Sequence, residues 1–488
     1  MLEAYCWPQS AVPGARVGLH VSTDAAAFDV VVVRCGAANE VVWERRRATA
    51  QPYDVPDEAS ARGCAWPAAL EIPIAERWRS GYYAVELTAG DERCDAFLVV
   101  RPGHGDRAPI LLVLSTSTWN AYNDWGGPSL YTGGTHVSFE RPLARGFLSK
   151  PEPARRKMQP HPDREARWFF EWAEPLGVSV WSGGAGWWNW ERPFVRWAEE
   201  QGYAIDVAIS QDLEQQPEVL DGHRLFLSVG HDEYWSWGMR DALDGFVAGG
   251  GNAAIFSGNT CFWQVRFDDD RRAMTCFKYR ADDDPVAGTA DERFLTGPWS
   301  DRRVGRPETS TIGLTFTRGG YSRYGLGVPR ASGAYTVWRP EHWAFEGTDL
   351  RYGDALGLAD TIVAYEVDGV ALMTGDDGLP VPTHEDGAPD SLEVLATAPA
   401  RLWTQDEQPS RYAHEPGELE NAAAAVFGDD WRRQVHRLTN NHAVMGVFDV
   451  RGGGTVFNAG VTDWAYGIEG GDPDVVRVTR NVLDRLSS

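Results

Sequence analysis

The sequence predicts an α/β protein in two parts: an antiparallel β-sandwich over residues 1–104, then a doubly wound α/β domain over residues 105–488 with a β and loop insertion at about 266–346. Three observations predict it. Before residue 104, short apolar stretches alternate with polar residues and are broken at short intervals by turn residues. From Pro109 onward, apolar runs of strand length alternate with stretches of helical period. Between Arg266 and Glu346 the helical period fades, and Asp, Arg, Gly and Thr dominate.

In the first part, Val17 to Val21, Phe28 to Val33, Trp66 to Ile74, Tyr83 to Leu87 and Ala96 to Val100 read as strands. Their number and spacing suit an immunoglobulin-like sandwich. Arg101 to Asp106, polar and rich in Gly and Pro, reads as a linker. Ile110 to Leu114 follows as a strand buried on both faces, and a loop rich in Trp, Asn and Tyr comes after it. Arg164 to Glu174 and Arg192 to Gln201 are helices. Tyr203 to Ile209, His223 to Val229 and Asn252 to Phe256 are strands, and the helix carrying Met239, Leu243, Phe246 and Val247 lies between the last two. Ile362 to Val367 returns to the core as a strand with Glu366 near its end; Leu395 to Leu402, Ala443 to Val450 and Thr455 to Asn458 follow. The last helix has Asp472 as its cap and Pro473 at its first position.

Composition narrows the function classes. A formal net charge of -24 repels nucleic acid and anionic lipid. The 22 Trp residues suit long loops pinned by aromatic side chains. None of the six Cys forms a CxxC pair or a zinc-like spacing, so free thiols in a reducing compartment are expected. Four of them precede residue 100, which leaves one disulfide there open. The stretch MLEAYCWPQS has no basic segment followed by an apolar one, and no run reaches membrane length, so the expected location is cytoplasmic.

In open α/β sheets, ligands bind beyond the carboxyl ends of the strands. Four predicted strand ends carry polar groups: Tyr122 and Tyr131 after Leu114; His231, Asp232 and Glu233 after Val229; Asn259 after Phe256; and Glu366. Phenolate and carboxylate are hard anionic donors that suit ferric iron better than zinc. Each residue also has a plainer reading. A tyrosine in a Trp-rich loop is more often a packing residue. His231-Asp232-Glu233 suits a helix start, Asn259 suits a turn, and Glu366 has many arginines to pair with. Cys261 lacks the flanking glycines of a nucleophile turn, and there is no GxSxG or P-loop.

Taken together, STWNAYNDWGGPSLY, SVGHDEYWS, IFSGN and AYEVDG resemble the large (beta) subunit of N,N-dimethylformamidase and the stand-alone proteins that share its C-terminal domain. The similarity covers most of residues 108–488, and the N-terminal β region resembles the domain that often precedes it. The resemblance implies a glutamine-amidotransferase-like α/β fold without the usual Cys nucleophile. It also implies one ferric ion (Fe3+) held by two Tyr and one Glu, here Tyr122, Tyr131 and Glu233. His231, Asn259 and Glu366 match the residues that the family places beside the metal. Asp232 stands where the family enzyme has Pro.

The expectation is therefore a mononuclear iron-dependent hydrolase of C–N bonds in small amides. Glu366 or His231 would handle the proton, Asn259 would orient substrate or stabilise an oxyanion, and Trp119, Trp125 and Phe262 would wall the pocket. Expected partners are a small amide substrate and, by the resemblance, a second copy or a small subunit. Three other readings stand beside it: a Cys261-dependent hydrolase, a carbohydrate-binding module with Trp surfaces, and a non-catalytic member of the same fold.

Overall fold

A computed structural model describes the chain apart from residues 104, 106, 157–164, 269, 324–330 and 408–416 and the side chains of 165–168. Parts of the predicted linker and of the predicted insertion, and the first residue of the Arg164 helix, lie outside the described residues. The chain forms two compact units: Met1–Arg155 with Glu171–His223 and Phe267–Thr275, and Arg156–Phe170 with Arg224–Arg266 and Cys276–Ser488. Helices and strands are mixed in an α/β arrangement of parallel and antiparallel pairings.

In the first unit, Leu2–Trp7, Arg16–Thr23 and Ala68–Pro73 make an antiparallel three-stranded sheet. A five-stranded sheet runs in the order Ser10–Ala11, Glu92–Val100, Gly81–Ala89, Phe28–Cys35, Glu40–Ala48. One apolar core draws on both: Leu19 and Val21 from the first, Val30, Val32, Val85 and Leu98 from the second. The period of two along each strand puts these side chains on one face. Glu40–Ala48 is a strand that the sequence pattern does not announce. Its residues EVVWERRRA are mostly exposed, and charge is what keeps an edge strand from pairing further.

The same unit holds the parallel pair Ile110–Leu114 and Ile205–Ile209, every residue buried. The segment after Leu114 corrects the expectation of a loop: Thr116–Tyr122 is an α-helix. All seven of its residues are buried, so it has no polar face, and no amphipathic stripe marks it in the sequence.

In the second unit, Leu225–His231, Asn252–Gly258 and Thr455–Asn458 are parallel neighbours. The sheet then turns antiparallel through Asn441–Asp449, Glu393–Ala400, Tyr335–Val337 and Ala355–Leu356. A wholly parallel sheet does not extend past Thr455–Asn458. Asn441–Asp449 and Thr455–Asn458 are joined by a short turn, and parallel neighbours need a crossover of a dozen or more residues.

Glu366 also departs from expectation. Ile362 to Tyr365 are buried but irregular, and the strand is Glu366–Gly369, with Glu366 at its start. It pairs antiparallel with Thr315–Tyr321, placing Tyr321 opposite Glu366. Gly319 permits this approach, since a Cβ there would lie 1.9 Å from the carbonyl oxygen of Val367. The last helix, Pro473–Leu486, is as predicted: Asp472 accepts from the N–H groups of Asp474 and Val475, and Val475, Val478, Val482 and Leu486 are buried. No described helix is long and apolar enough to cross a membrane.

Candidate active site

The site in the second unit is built on two adjacent parallel strands that end together, with His231 level with Gly258. Asn259 follows at φ +48°, a left-handed conformation that Asn tolerates better than most residues. Gly258 is required by proximity. A Cβ there would lie 2.5 Å from the Glu366 carbonyl oxygen and 2.6 Å from the Thr462 nitrogen. That close approach brings the start of the Glu366 strand against the ends of the other two.

Four side chains named from the sequence meet at this point. His231 Nε2 lies 2.6 Å from Glu366 Oε2 and 3.4 Å from Glu233 Oε2, and the imidazole is fully buried. Asn259 Nδ2 donates to Glu366 Oε2 at 3.1 Å. Asn259 Oδ1 is buried with no hydrogen-bond partner among the described residues. Glu233 Oε1 accepts from Trp263 Nε1 at 2.6 Å, and its carbonyl accepts from the N–H groups of Phe262 and Trp263.

The surroundings are unusually acidic for an interior. Burial pushes Asp232 up to about 6, opposed by hydrogen bonds from Ser228 and Trp235. Burial likewise pushes Asp368 up to about 8, opposed by the backbone N–H of Thr260. A carboxyl in such a place keeps its proton where a surface carboxyl would lose it.

A second cluster lies in the first unit. The rings of Tyr122 and Tyr131 are 4.1 Å apart between centroids, and Trp181 stands 5.3 Å from Tyr131 and 6.2 Å from Tyr122. The helix Thr116–Tyr122 positions the first tyrosine; the Asn123 side chain holds the turn after it through the N–H groups of Trp125 and Ala144.

The family model described as "N,N-dimethylformamidase beta subunit-like, C-terminal" matches residues 29–476. The chain belongs to this family. An N,N-dimethylformamidase beta subunit from Alcaligenes sp is 26% identical over 227 residues, 43% of this chain and 29% of that protein. One from Paracoccus aminophilus is 27% identical over 221 residues, 41% and 28%. The matched stretches thus span under a third of the relatives' own length.

Within this N,N-dimethylformamidase beta subunit-like chain, the residues named as pocket walls are placed variously. Phe262 is buried edge-to-face on Trp263 and Phe316, next to Glu233. Trp119 gives its N–H to Glu191 and packs on Phe97. Trp125 gives its N–H to Glu3 and packs on Trp66. Cys261 is fully buried, and burial pushes its thiol far up, which suppresses the thiolate a nucleophile needs.

Three members of the site were given no site role from the sequence: Trp263, Asp368 and Tyr365, whose ring meets His231 edge-on at 5.8 Å. Asp368 had a signal. It lies two residues past Glu366 on one strand, hence on the same face. Trp263 and Tyr365 had none beyond adjacency to named motifs.

The donor chemistry fits the hard cation that the resemblance implies. In this cluster the carboxylates and Asn259 Oδ1, which has no hydrogen-bond partner among the described residues, are oxygen donors. Among the described residues, no three or more His, Cys, Asp and Glu side chains form a metal-binding group by themselves. The implied ligand set is of another kind, two phenols and one carboxylate.

Proposed function

We propose that this chain hydrolyses the C–N bond of small linear amides, with a ferric ion held by Tyr122, Tyr131 and Glu233. The observation that carries the reading is one buried imidazole in contact with two carboxylates, Glu233 and Glu366, at the ends of paired parallel strands, in a chain of this family. When bound, such an ion supplies Lewis acidity to a carbonyl or a water.

The chain's own residues do the rest. Glu366 takes the proton of the attacking water and returns it to the leaving nitrogen. His231 holds Glu366 in place and reaches Glu233 with the same ring nitrogen. Asn259 fixes Glu366 through Nδ2 and offers Oδ1 to an amide N–H. Phe262 excludes water from one side. We read the two N-terminal sheets as an immunoglobulin-like sandwich and the parallel strands as an amidotransferase-like frame. Because the relatives are named as beta subunits, a second copy or a small subunit is the expected partner.

Phenolate on ferric iron absorbs visible light. Protein made in iron-replete medium should be tinted, carry iron by elemental analysis, and hydrolyse members of a panel of short amides. Tyr122→Phe should weaken and shift the colour, and Tyr122→Phe with Tyr131→Phe should remove it. A colourless, iron-free protein would refute the ligand set, and an iron-loaded protein inert toward every amide would refute the reaction.

A further inference from the structure

Directly across the strand pair from Glu366 stands Tyr321. Opposed residues of an antiparallel pair put their side chains on the same face, within contact distance. The Tyr321 hydroxyl donates to Glu418 Oε1 at 2.8 Å. Its ring is stacked on Trp403 at 4.4 Å, and the Trp403 carbonyl accepts the N–H of Leu419, at the start of the Glu418–Phe427 helix. Trp403 therefore locks both partners of the bond. Tyr321 is held on its other edge by paired hydrogen bonds with Arg401, which Gly320 permits. The second oxygen, Glu418 Oε2, is enclosed with no hydrogen-bond partner among the described residues.

We propose that Tyr321 and Glu418 are a further pair of positioning residues for the His231–Glu366 site: Glu418, itself set by Trp403, fixes the Tyr321 ring across the strand pair from Glu366.

The chemistry of the surroundings supports this. Burial pushes Glu418 up to about 8; Glu366 and Glu233 push it further up, while the Tyr321 hydrogen bond and Lys278 oppose them. Oε1 accepts from the phenol, so the acid proton of Glu418 belongs on Oε2, the oxygen with no partner among the described residues. Tyr321 is pushed well above the ordinary phenol range by burial first and by Glu418 next, so it remains a donor. The inference rests on the His231–Glu366 cluster being the reaction site, but its main test does not require turnover.

That test is the melting temperature of wild type and Glu418→Gln from pH 5 to 9. The folded chain keeps a proton that the unfolded chain releases above the ordinary value of 4.5. Glu418 therefore contributes a loss of stability as pH rises from about 4.5 to about 8, and the Gln variant lacks that contribution. The gap in favour of Glu418→Gln should widen by a few degrees over this window and stay constant above it. A purely structural Glu418 gives a gap that is the same at every pH.

Coupling to the site is read in a Glu366→Gln background, where the widening should move to lower pH because a charge that raises Glu418 is gone. If Glu418→Gln does not fold, Tyr321→Phe carries the test: the wild-type loss should then extend to higher pH. A gap independent of pH, or one indifferent to Glu366→Gln, overturns the proposal. A shifted gap in a protein that hydrolyses no amide keeps the pair and removes only the reaction.

Discussion

Two interiors of this molecule are equally buried and differently filled. Between the two N-terminal sheets, Leu19, Val21, Val30, Val32, Val85 and Leu98 form a core of apolar side chains. Around His231 the enclosed groups are Glu233, Asn259, Glu366 and Asp368. The first arrangement gains free energy from removing apolar surface from water. The second costs free energy, because buried charges must be paired or kept protonated. A fold holds such a cluster only when the rest of the chain offsets it, which is why the second interior reads as a place of chemistry.

The sharpest way to break this contrast is at Glu366. Glu366→Gln should lower amide hydrolysis by roughly 10²–10⁴-fold, as expected for loss of a general base, with the melting temperature little changed. A variant with full turnover would put the chemistry elsewhere. The opposite result is expected in the apolar interior. Leu98→Ala should cost about 2–5 kcal/mol in denaturant unfolding and leave turnover per folded molecule intact.

A smaller effect should come from Trp263→Phe, which removes the N–H donor to Glu233, leaves that buried oxygen one partner short and should cost about 1–3 kcal/mol. The same variant should weaken iron retention, measured by elemental analysis after dialysis.

Asp368 sharpens the comparison by pH. Its proton stays on in the folded state up to about 8 and leaves the unfolded chain above the ordinary value of 3.8. Native stability therefore falls as pH rises through that window, and Asp368→Asn should flatten this part of the curve. Melting curves that keep the same slope in the variant would show that Asp368 is not the group responsible. The smallest effect is expected at Cys261: iodoacetamide applied to the folded protein should leave activity unchanged, because the thiol is enclosed.

Much of the frame was legible from residues alone. Ile110–Leu114 is an unbroken apolar run and is a strand at those bounds. Asp472-Pro473 marks a helix start and caps one. What escaped was whatever lacked a periodic signature. Thr116–Tyr122 is buried all round and hid its helix. Glu40–Ala48 takes its strand character from its neighbour rather than from its own pattern. Glu366 lay in an apolar stretch that looked like one strand, but packing at Gly258 and Gly319 starts the strand at Glu366 itself.

By itself, the sequence determined the kinds of groups available: oxygen donors and one histidine at strand ends, in motifs of a known family, on a strongly acidic chain. Those are local properties, written in residue type and spacing. Only the tertiary structure decided that His231 is shared between Glu233 and Glu366, that Trp263 holds Glu233, and that Tyr321 faces Glu366 with Glu418 behind it. These contacts join residues far apart along the chain. Their distances depend on how backbones close around glycines such as Gly258, and no pattern within one segment encodes that.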